Sequence, residues 1–310
     1  MPGILFYSLY DDAEEWNEQF SKDLPHWTFN KWPVVNDPNS IEIALVWKPP
    51  RGELKKYRNL QLIINLGAGI DSLLEDDQLP SGIPIIRLTD RVMIEMMVQY
   101  VLLSVLSYHR NLPDFARAQQ QRVWRYIHPR QSHHTHVGIL GLGSLGGNAA
   151  TELKRQGFTV SGWSRSHKII DGVKTYQGEI PPKAWLATLD ILVVLLPLTK
   201  KTRGLVDRSV IYSLPRGSKI ISVGRGAVLS ELELFDALKN GHIGAATIDT
   251  FSEEPLPYDH PFWSIPNVTI TPHVASVAVP ESCMEQIVDA IRSIKEGRLP
   301  KNVVDPKEWY

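Results

Sequence analysis

The tightest constraint on this chain is the apolar run Val137-Gly138-Ile139-Leu140, followed at once by Gly141-Leu142-Gly143-Ser144-Leu145-Gly146. Behind it Leu145, Ala149 and Leu153 recur at a spacing of four, so the segment reads as strand, glycine turn and helix. Each glycine answers a physical need. Gly141 permits the tight turn, Gly143 lets the backbone approach a pyrophosphate, and Gly146 allows helix and strand to pack closely. With Ser144 and Leu145 opening the helix, free N–H groups face the phosphates, and the segment is expected to hold a dinucleotide.

The next strand-like run refines that expectation. A site for NAD usually places an acid about 20 residues on to hold the ribose hydroxyl. Here the run ends Trp163-Ser164-Arg165-Ser166-His167-Lys168, with no acid before Asp171. Arg165 and Lys168, with the hydroxyls of Ser164 and Ser166, suit a 2′-phosphate, because a guanidinium grips phosphate through paired charge-assisted hydrogen bonds. NADP(H) is therefore the expected cofactor, with NAD(H) as the alternative.

Around this motif the chain reads as two successive βα arrays. Runs at Ile4 to Tyr7, Ile41 to Val46, Leu62 to Leu66 and Ile83 to Ile86 form the first, with the spacing of buried parallel strands. The second begins at Val137 and continues through Thr159 to Trp163, Ile191 to Leu196, Lys219 to Val223, Gly244 to Ile248 and Val268 to Ile270. Between the arrays, Val92 to Tyr108 is apolar but short of the ~20 residues of a membrane span, and Glu95, Gln99, Ser104 and Ser107 interrupt it, so a buried helix is expected. A closing helix over Pro280 to Gly297 follows from the spacing of Met284, Ile287, Val288, Ile291 and Ile294. With 310 residues, two domains fit. Lysines and arginines number 33 against 34 acids, a net charge of −1 that leaves no basic footprint for nucleic acid or an anionic membrane. The one cysteine, Cys283, cannot form an internal disulfide, and the N-terminus lacks a signal-peptide pattern, so a reducing cytoplasmic setting is expected.

Three downstream segments place polar residues just past strand-like runs, where open α/β sheets bind ligands. They are Ser222-Val223-Gly224-Arg225-Gly226, Asp249-Thr250-Phe251-Ser252-Glu253-Glu254-Pro255, and Thr271-Pro272-His273-Val274-Ala275-Ser276. Together with Asn65-Leu66-Gly67-Ala68-Gly69-Ile70-Asp71, the glycine loop, and Leu196-Pro197-Leu198-Thr199 with Thr202, they make the chain resemble the D-isomer-specific 2-hydroxyacid dehydrogenase family, nearest its glyoxylate/hydroxypyruvate reductase A branch. The resemblance spans nearly the whole chain. It implies two doubly wound parallel-sheet α/β domains with a cleft between them: a flavodoxin-like substrate domain from residues 1–98 and 279–310, and a Rossmann dinucleotide domain from 99–278. It also implies a homodimer.

The chemistry of such a reductase can be argued from residue types. A 2-oxo acid needs a cation for its carboxylate, a proton donor for the developing alkoxide, and a positioned hydride source. Arg225 suits the first role through its planar fork. His273 suits the second, since imidazole titrates near neutrality. A glutamate would orient the ring, and the family pattern, with its glutamate directly before proline, selects Glu254 over Glu253. By the same resemblance Ala68 and Gly69 offer backbone N–H groups to the substrate carboxylate and Trp47 lines its pocket. Leu196, Pro197, Thr202, Val223, Gly224, Arg225, Asp249 and His273 line the nicotinamide side, with Asp249 on the carboxamide. Ser222 and Leu229-Ser230 depart from common family residues beside Arg225. The expected activity is NADPH-dependent reduction of glyoxylate to glycolate or hydroxypyruvate to D-glycerate. A bulkier 2-hydroxy acid, or a non-catalytic dinucleotide-binding regulator, is the alternative. No metal site is expected, because His133, His134 and His136 lack partners at ligand spacing.

Overall fold

The computed structural model describes residues 1–305. The chain divides into two compact units, Met1–Met93 with Val277–Tyr310, and Ile94–Ser276. Pro306 to Tyr310, at the end of the first unit, lie outside the described residues.

In the first unit, strands β1 (Gly3–Tyr7), β2 (Thr28–Lys31), β3 (Ile41–Val46), β4 (Leu62–Asn65) and β5 (Ile85–Arg87) form a parallel sheet in the order β2-β1-β3-β4-β5. That is the flavodoxin-like order. β1 and β4 are buried at every residue, because layers of side chains cover both faces of the sheet. On one face lie helix α1 (Ala13–Asp23), with Trp16 and Phe20 against Phe6, and the closing helix, with Cys283, Met284, Ile287 and Ile291. Asp12 starts α1 by accepting the Glu14 amide at 2.9 Å, a side-chain cap for an otherwise orphaned donor. Each fully buried aliphatic or aromatic side chain here contributes about 1.5–3 kcal/mol. The other face packs Leu54, Tyr57, Leu60 and Leu73, the last from the short helix α2 (Asp71–Leu74).

The second unit opens within helix α3 (Arg91–His109) and continues through α4 (Leu112–Gln120). Its strands are β6 (His136–Leu140), β7 (Thr159–Ser164), β8 (Lys174–Gln177), β9 (Ile191–Val194), β10 (Ser218–Ser222), β11 (Ile243–Ile248) and β12 (Val268–Ile270). They pair in parallel in the order β12-β11-β10-β9-β6-β7-β8. The order reverses direction at β6 and β9, the switch point where doubly wound sheets bind ligands. Helices α5 (Ser144–Arg155), α6 (Lys183–Leu186), α7 (Arg208–Ile211) and α8 (Glu231–Lys239) belong to this unit, and α9 (Pro280–Lys295) closes the first.

Two expectations change. The units divide at 93/94 and 276/277, not at 98/99 and 278/279. Met93 packs in the core of the first unit and Met97, one helical turn on, in the core of the second, so the division falls inside α3 where no loop marks it. Nor is α3 a buried helix throughout. It has 19 residues and is long and apolar enough to cross a membrane, but only 33% of its most apolar stretch is buried. Val101, Val105 and Tyr108 lie in the core, whereas Leu103 is 65% exposed. Inward-facing hydroxyls on Tyr100, Ser104 and Tyr108, each hydrogen-bonded, mark it as a packed helix with one open apolar side.

Candidate active site

In the second unit every candidate residue stands at or just past the carboxyl end of a strand. The glycine turn follows β6, and its demands are visible atom by atom. Gly141 has φ +101°, and a Cβ there would lie 2.4 Å from the Leu195 carbonyl oxygen. A Cβ on Gly146 would lie 1.9 Å from the Gly141 carbonyl oxygen. Both positions exclude a side chain through backbone. Gly143 caps α5, whose first turn begins at Ser144, with Leu145 packed toward the core. This cradle fits a pyrophosphate, since anions are favoured at a helix N-terminus lined by amide donors.

At the end of β7, Ser164 is buried and donates its hydroxyl to the Ser166 carbonyl at 2.7 Å. It therefore shapes the turn that presents Arg165, Ser166 and Lys168, all exposed. Past β9, Leu196 is buried, and Thr202 Oγ1 donates to the Pro197 carbonyl at 2.6 Å while accepting the Thr199 amide at 2.8 Å. The loop that includes Pro197 is thereby closed by one side chain. Val223 continues β10 by donating its amide to Val194 at 3.0 Å. Gly224 then passes so close to Leu196 that a Cβ would meet its carbonyl oxygen at 2.6 Å. Arg225 follows, part-buried, with Nη1 donating to the Gly224 carbonyl at 2.9 Å.

His273 and Glu254 meet directly. His273 Nδ1 lies 2.9 Å from Glu254 Oε2 and 3.1 Å from Oε1, with side-chain exposures of 23% and 15%. Of the two neighbouring glutamates it is Glu254 that reaches the imidazole, and its Oε1 also accepts the Phe251 amide at 3.0 Å. The carboxylate is thus fixed by its own turn and fixes the ring. With Nδ1 held by an acceptor, proton exchange with a substrate falls to Nε2.

Asp249, 1% exposed, organises the loop that bears His273. Its Oδ1 accepts the Thr271 hydroxyl at 2.6 Å and the Val274 amide at 2.9 Å, and Oδ2 accepts the Ala275 amide at 3.0 Å. Its carbonyl accepts the His273 amide at 2.9 Å. A contact with a nicotinamide carboxamide would draw on the acceptor capacity that remains. Sequence reasoning missed this anchoring role and missed Thr271 and Tyr100 beside it, because the partners are scattered along the chain.

The first unit holds the other substrate candidates. The amide of Asn65, fully buried, donates to the carbonyls of Gly67 at 2.8 Å and Gly69 at 2.9 Å, which fixes the turn containing Ala68. Trp47 lies on that turn, so close that a Cβ on Gly67 would be 2.6 Å from its ring. Trp47 is half-buried, and Lys48 Nζ sits 5.7 Å over its ring. Cys283 donates to Asp90 at 3.0 Å, and burial together with that contact pushes its thiol up, away from nucleophile chemistry. Of the three clustered histidines, His136 spends its ring nitrogens on the Thr188 carbonyl and the Ser161 hydroxyl. Among the described residues no group of three or more His, Cys, Asp or Glu is placed to hold a metal.

The family model described as D-isomer specific 2-hydroxyacid dehydrogenase, NAD binding domain, matches residues 102–275. The chain is 39% identical over 312 residues to glyoxylate/hydroxypyruvate reductase A of Yersinia enterocolitica, covering 99% of each. It is 40% identical to the protein of that name from Serratia proteamaculans, covering 97% of this chain and 98% of the relative. Among solved structures, a D-isomer specific 2-hydroxyacid dehydrogenase from Xanthobacter autotrophicus, in complex with NADPH and MES, superposes with TM-score 0.93 at 44% identity, over 100% of this chain and 99% of that one. The NADPH-dependent glyoxylate/hydroxypyruvate reductase of Sinorhizobium meliloti, with NADP and sulfate bound, gives TM-score 0.92 at 30% identity over 100% of both chains. The chain belongs to the D-isomer-specific 2-hydroxyacid dehydrogenase family.

Proposed function

We propose that this chain is an NADPH-dependent reductase of small 2-oxo acids, converting glyoxylate to glycolate and hydroxypyruvate to D-glycerate. The observation that carries the reading is the His273–Glu254 pair at 2.9 Å, part-buried and set past the strand ends of a dinucleotide-type sheet. When bound, the nicotinamide supplies the hydride for the carbonyl carbon. His273 gives the Nε2 proton to the carbonyl oxygen, and Glu254 stabilises the ring orientation through Nδ1. Arg225 holds the substrate carboxylate, assisted by the backbone of Ala68 and Gly69 and the ring of Trp47. On the cofactor side, Gly141, Gly143, Ser144, Leu145 and Gly146 cradle the pyrophosphate, and Arg165 with Lys168 and Ser166 takes the 2′-phosphate. Leu196, Pro197, Thr202, Val223, Gly224 and Asp249 line the nicotinamide end.

We further assign the first unit to the substrate and the second to the dinucleotide, place the protein in the cytoplasm, and infer a homodimer. The exposed apolar side chains Leu103, Leu112, Val123, Trp124 and Tyr126 of the second unit support a second copy as the covering surface.

The test is cofactor oxidation by the purified protein with glyoxylate, hydroxypyruvate and a bulky aromatic 2-oxo acid, each with NADPH and NADH. Turnover of the two small acids with NADPH preferred is expected, and Arg165→Ala should raise the KM for NADPH far more than that for NADH. Turnover of the aromatic acid alone would point to a dehydrogenase of larger substrates. Tight NADPH binding with no turnover would point to a regulator.

A further inference from the structure

Two tyrosines on one side of α3 reach threonines of the second unit, and the two contacts end differently. The Tyr108 hydroxyl lies 2.7 Å from Thr247 Oγ1, a buried bond that ends on β11. The Tyr100 hydroxyl lies 2.5 Å from Thr271 Oγ1, and there the chain of bonds continues. Thr271 donates its one hydroxyl proton to Asp249 Oδ1 at 2.6 Å, so toward Tyr100 it can only accept. Tyr100 is therefore the donor. Burial pushes its phenol up to about 12, and the charge of Asp249 adds to this against the opposing Thr271 contact, so the donor keeps its proton at any working pH. The series Tyr100 to Thr271 to Asp249 has one direction.

Its far end is the loop of His273. Asp249 grips that loop at Thr271, Val274 and Ala275 through its carboxylate and at His273 through its carbonyl. The grip matters because His273 has φ +59°, a left-handed conformation that a non-glycine residue holds only when its surroundings over-determine it. The direction in which the imidazole leaves the backbone depends on that conformation. Hydrogen bonds in series also polarise one another, so a donor onto Thr271 strengthens the bond Thr271 makes to Asp249.

We propose that Tyr100 is a positioning residue for His273, acting through the Thr271 hydroxyl and the Asp249 carboxylate to hold the His273 loop in its left-handed form. This rests on the reading of His273 as proton donor, so the test carries one readout that needs turnover and one that does not. The protein is labelled with 15N-histidine, and the His273 signals are assigned by their loss in His273→Gln. Tyr100→Phe and Tyr108→Phe each remove one oxygen and keep the ring. Tyr100→Phe is expected to move the His273 imidazole signals and to lower kcat with hydroxypyruvate by about 3- to 10-fold, the scale of one hydrogen bond, with the KM for NADPH within about twofold. Tyr108→Phe is expected to lower the unfolding midpoint and change neither readout. In a cycle with Thr271→Val, the double variant should lose no more kcat than Thr271→Val alone, because Tyr100 acts through that hydroxyl. The proposal is overturned if Tyr100→Phe behaves as Tyr108→Phe does, or if the losses in the cycle multiply. Should the wild-type protein turn over neither small acid, the functional reading fails while the His273 signals still decide: a shift in Tyr100→Phe supports the positioning role, and unmoved signals overturn it.

Discussion

Gly146 shows how a single missing atom makes a site. Its absent Cβ would lie 1.9 Å from the carbonyl oxygen of Gly141, a collision with backbone that no rotamer change relieves. Either the turn or α5 must move. Gly146→Ala is therefore expected to cost at least about 1–3 kcal/mol in urea unfolding and to weaken dinucleotide binding together with it. An alanine variant of wild-type stability would show that the turn yields more easily than its geometry implies. Much of the candidate site was legible at this scale, because Gly141, Gly146, Arg225, Glu254 and His273 each carry a local pattern. Asp249 was legible as a candidate but not as the anchor of the His273 loop. Tyr100 was not legible, since it sits in an apolar run that reads as core and its partner Thr271 lies 171 residues away.

At the scale of elements, the strands read from apolar runs are present, whereas β2 and β8 were missed. Both are edge strands with mixed sequences: Lys-Thr-Tyr-Gln exposes both of its ends, and Thr-Phe-Asn-Lys exposes Lys31 while burying Asn30. A period-based reading finds buried central strands and passes over such edges. β6 begins with a histidine whose bonding has a consequence for stability. His136 Nδ1 faces the Thr188 carbonyl at 3.0 Å, so Nδ1 carries the proton, and Nε2 accepts from the Ser161 hydroxyl at 2.7 Å. Ser161 in turn accepts the Trp185 indole N–H at 2.7 Å. Burial holds His136 below the usual histidine range, opposed by the Thr188 bond and by Asp190. Because the folded state resists protonation that the unfolded chain accepts near ~6.5, this contribution is present above that pH and is lost as pH falls through the lower folded value. Urea unfolding between pH 7.5 and 5.5 should show stability falling on acidification, with a shallower fall in His136→Gln. An equal slope in both proteins would show that His136 does not carry the pH dependence.

The whole molecule is two α/β units on one chain, each built on a parallel sheet with its own strand order. A flavodoxin-like order in the first unit and a longer doubly wound order in the second were anticipated from the arrays and the family resemblance. The first point of division, expected at 98/99, lies at 93/94 in the same helix. It falls within α3, where sequence periodicity runs on unbroken while the packing changes from one core to the other between Met93 and Met97. The same helix leaves Leu103 65% exposed, and Trp124 beyond α4 is 98% exposed. Side chains of that size left in water favour association. Sedimentation should give a dimer for the wild type, shifted toward monomer by Leu103→Lys with Trp124→Ser. A wild-type monomer at micromolar concentration would contradict the inferred homodimer.

We propose that His273, held at Nδ1 by Glu254, supplies the proton in reduction of a 2-oxo acid. The most direct measurement is kcat with NADPH and hydroxypyruvate for His273→Gln, taken beside the Kd for NADPH from the quenching or enhancement of fluorescence on binding. A group that acts in the transition state should take about 100-fold or more from kcat when removed, while the Kd stays within about twofold. A His273→Gln protein that keeps most of its kcat would show that another group supplies the proton.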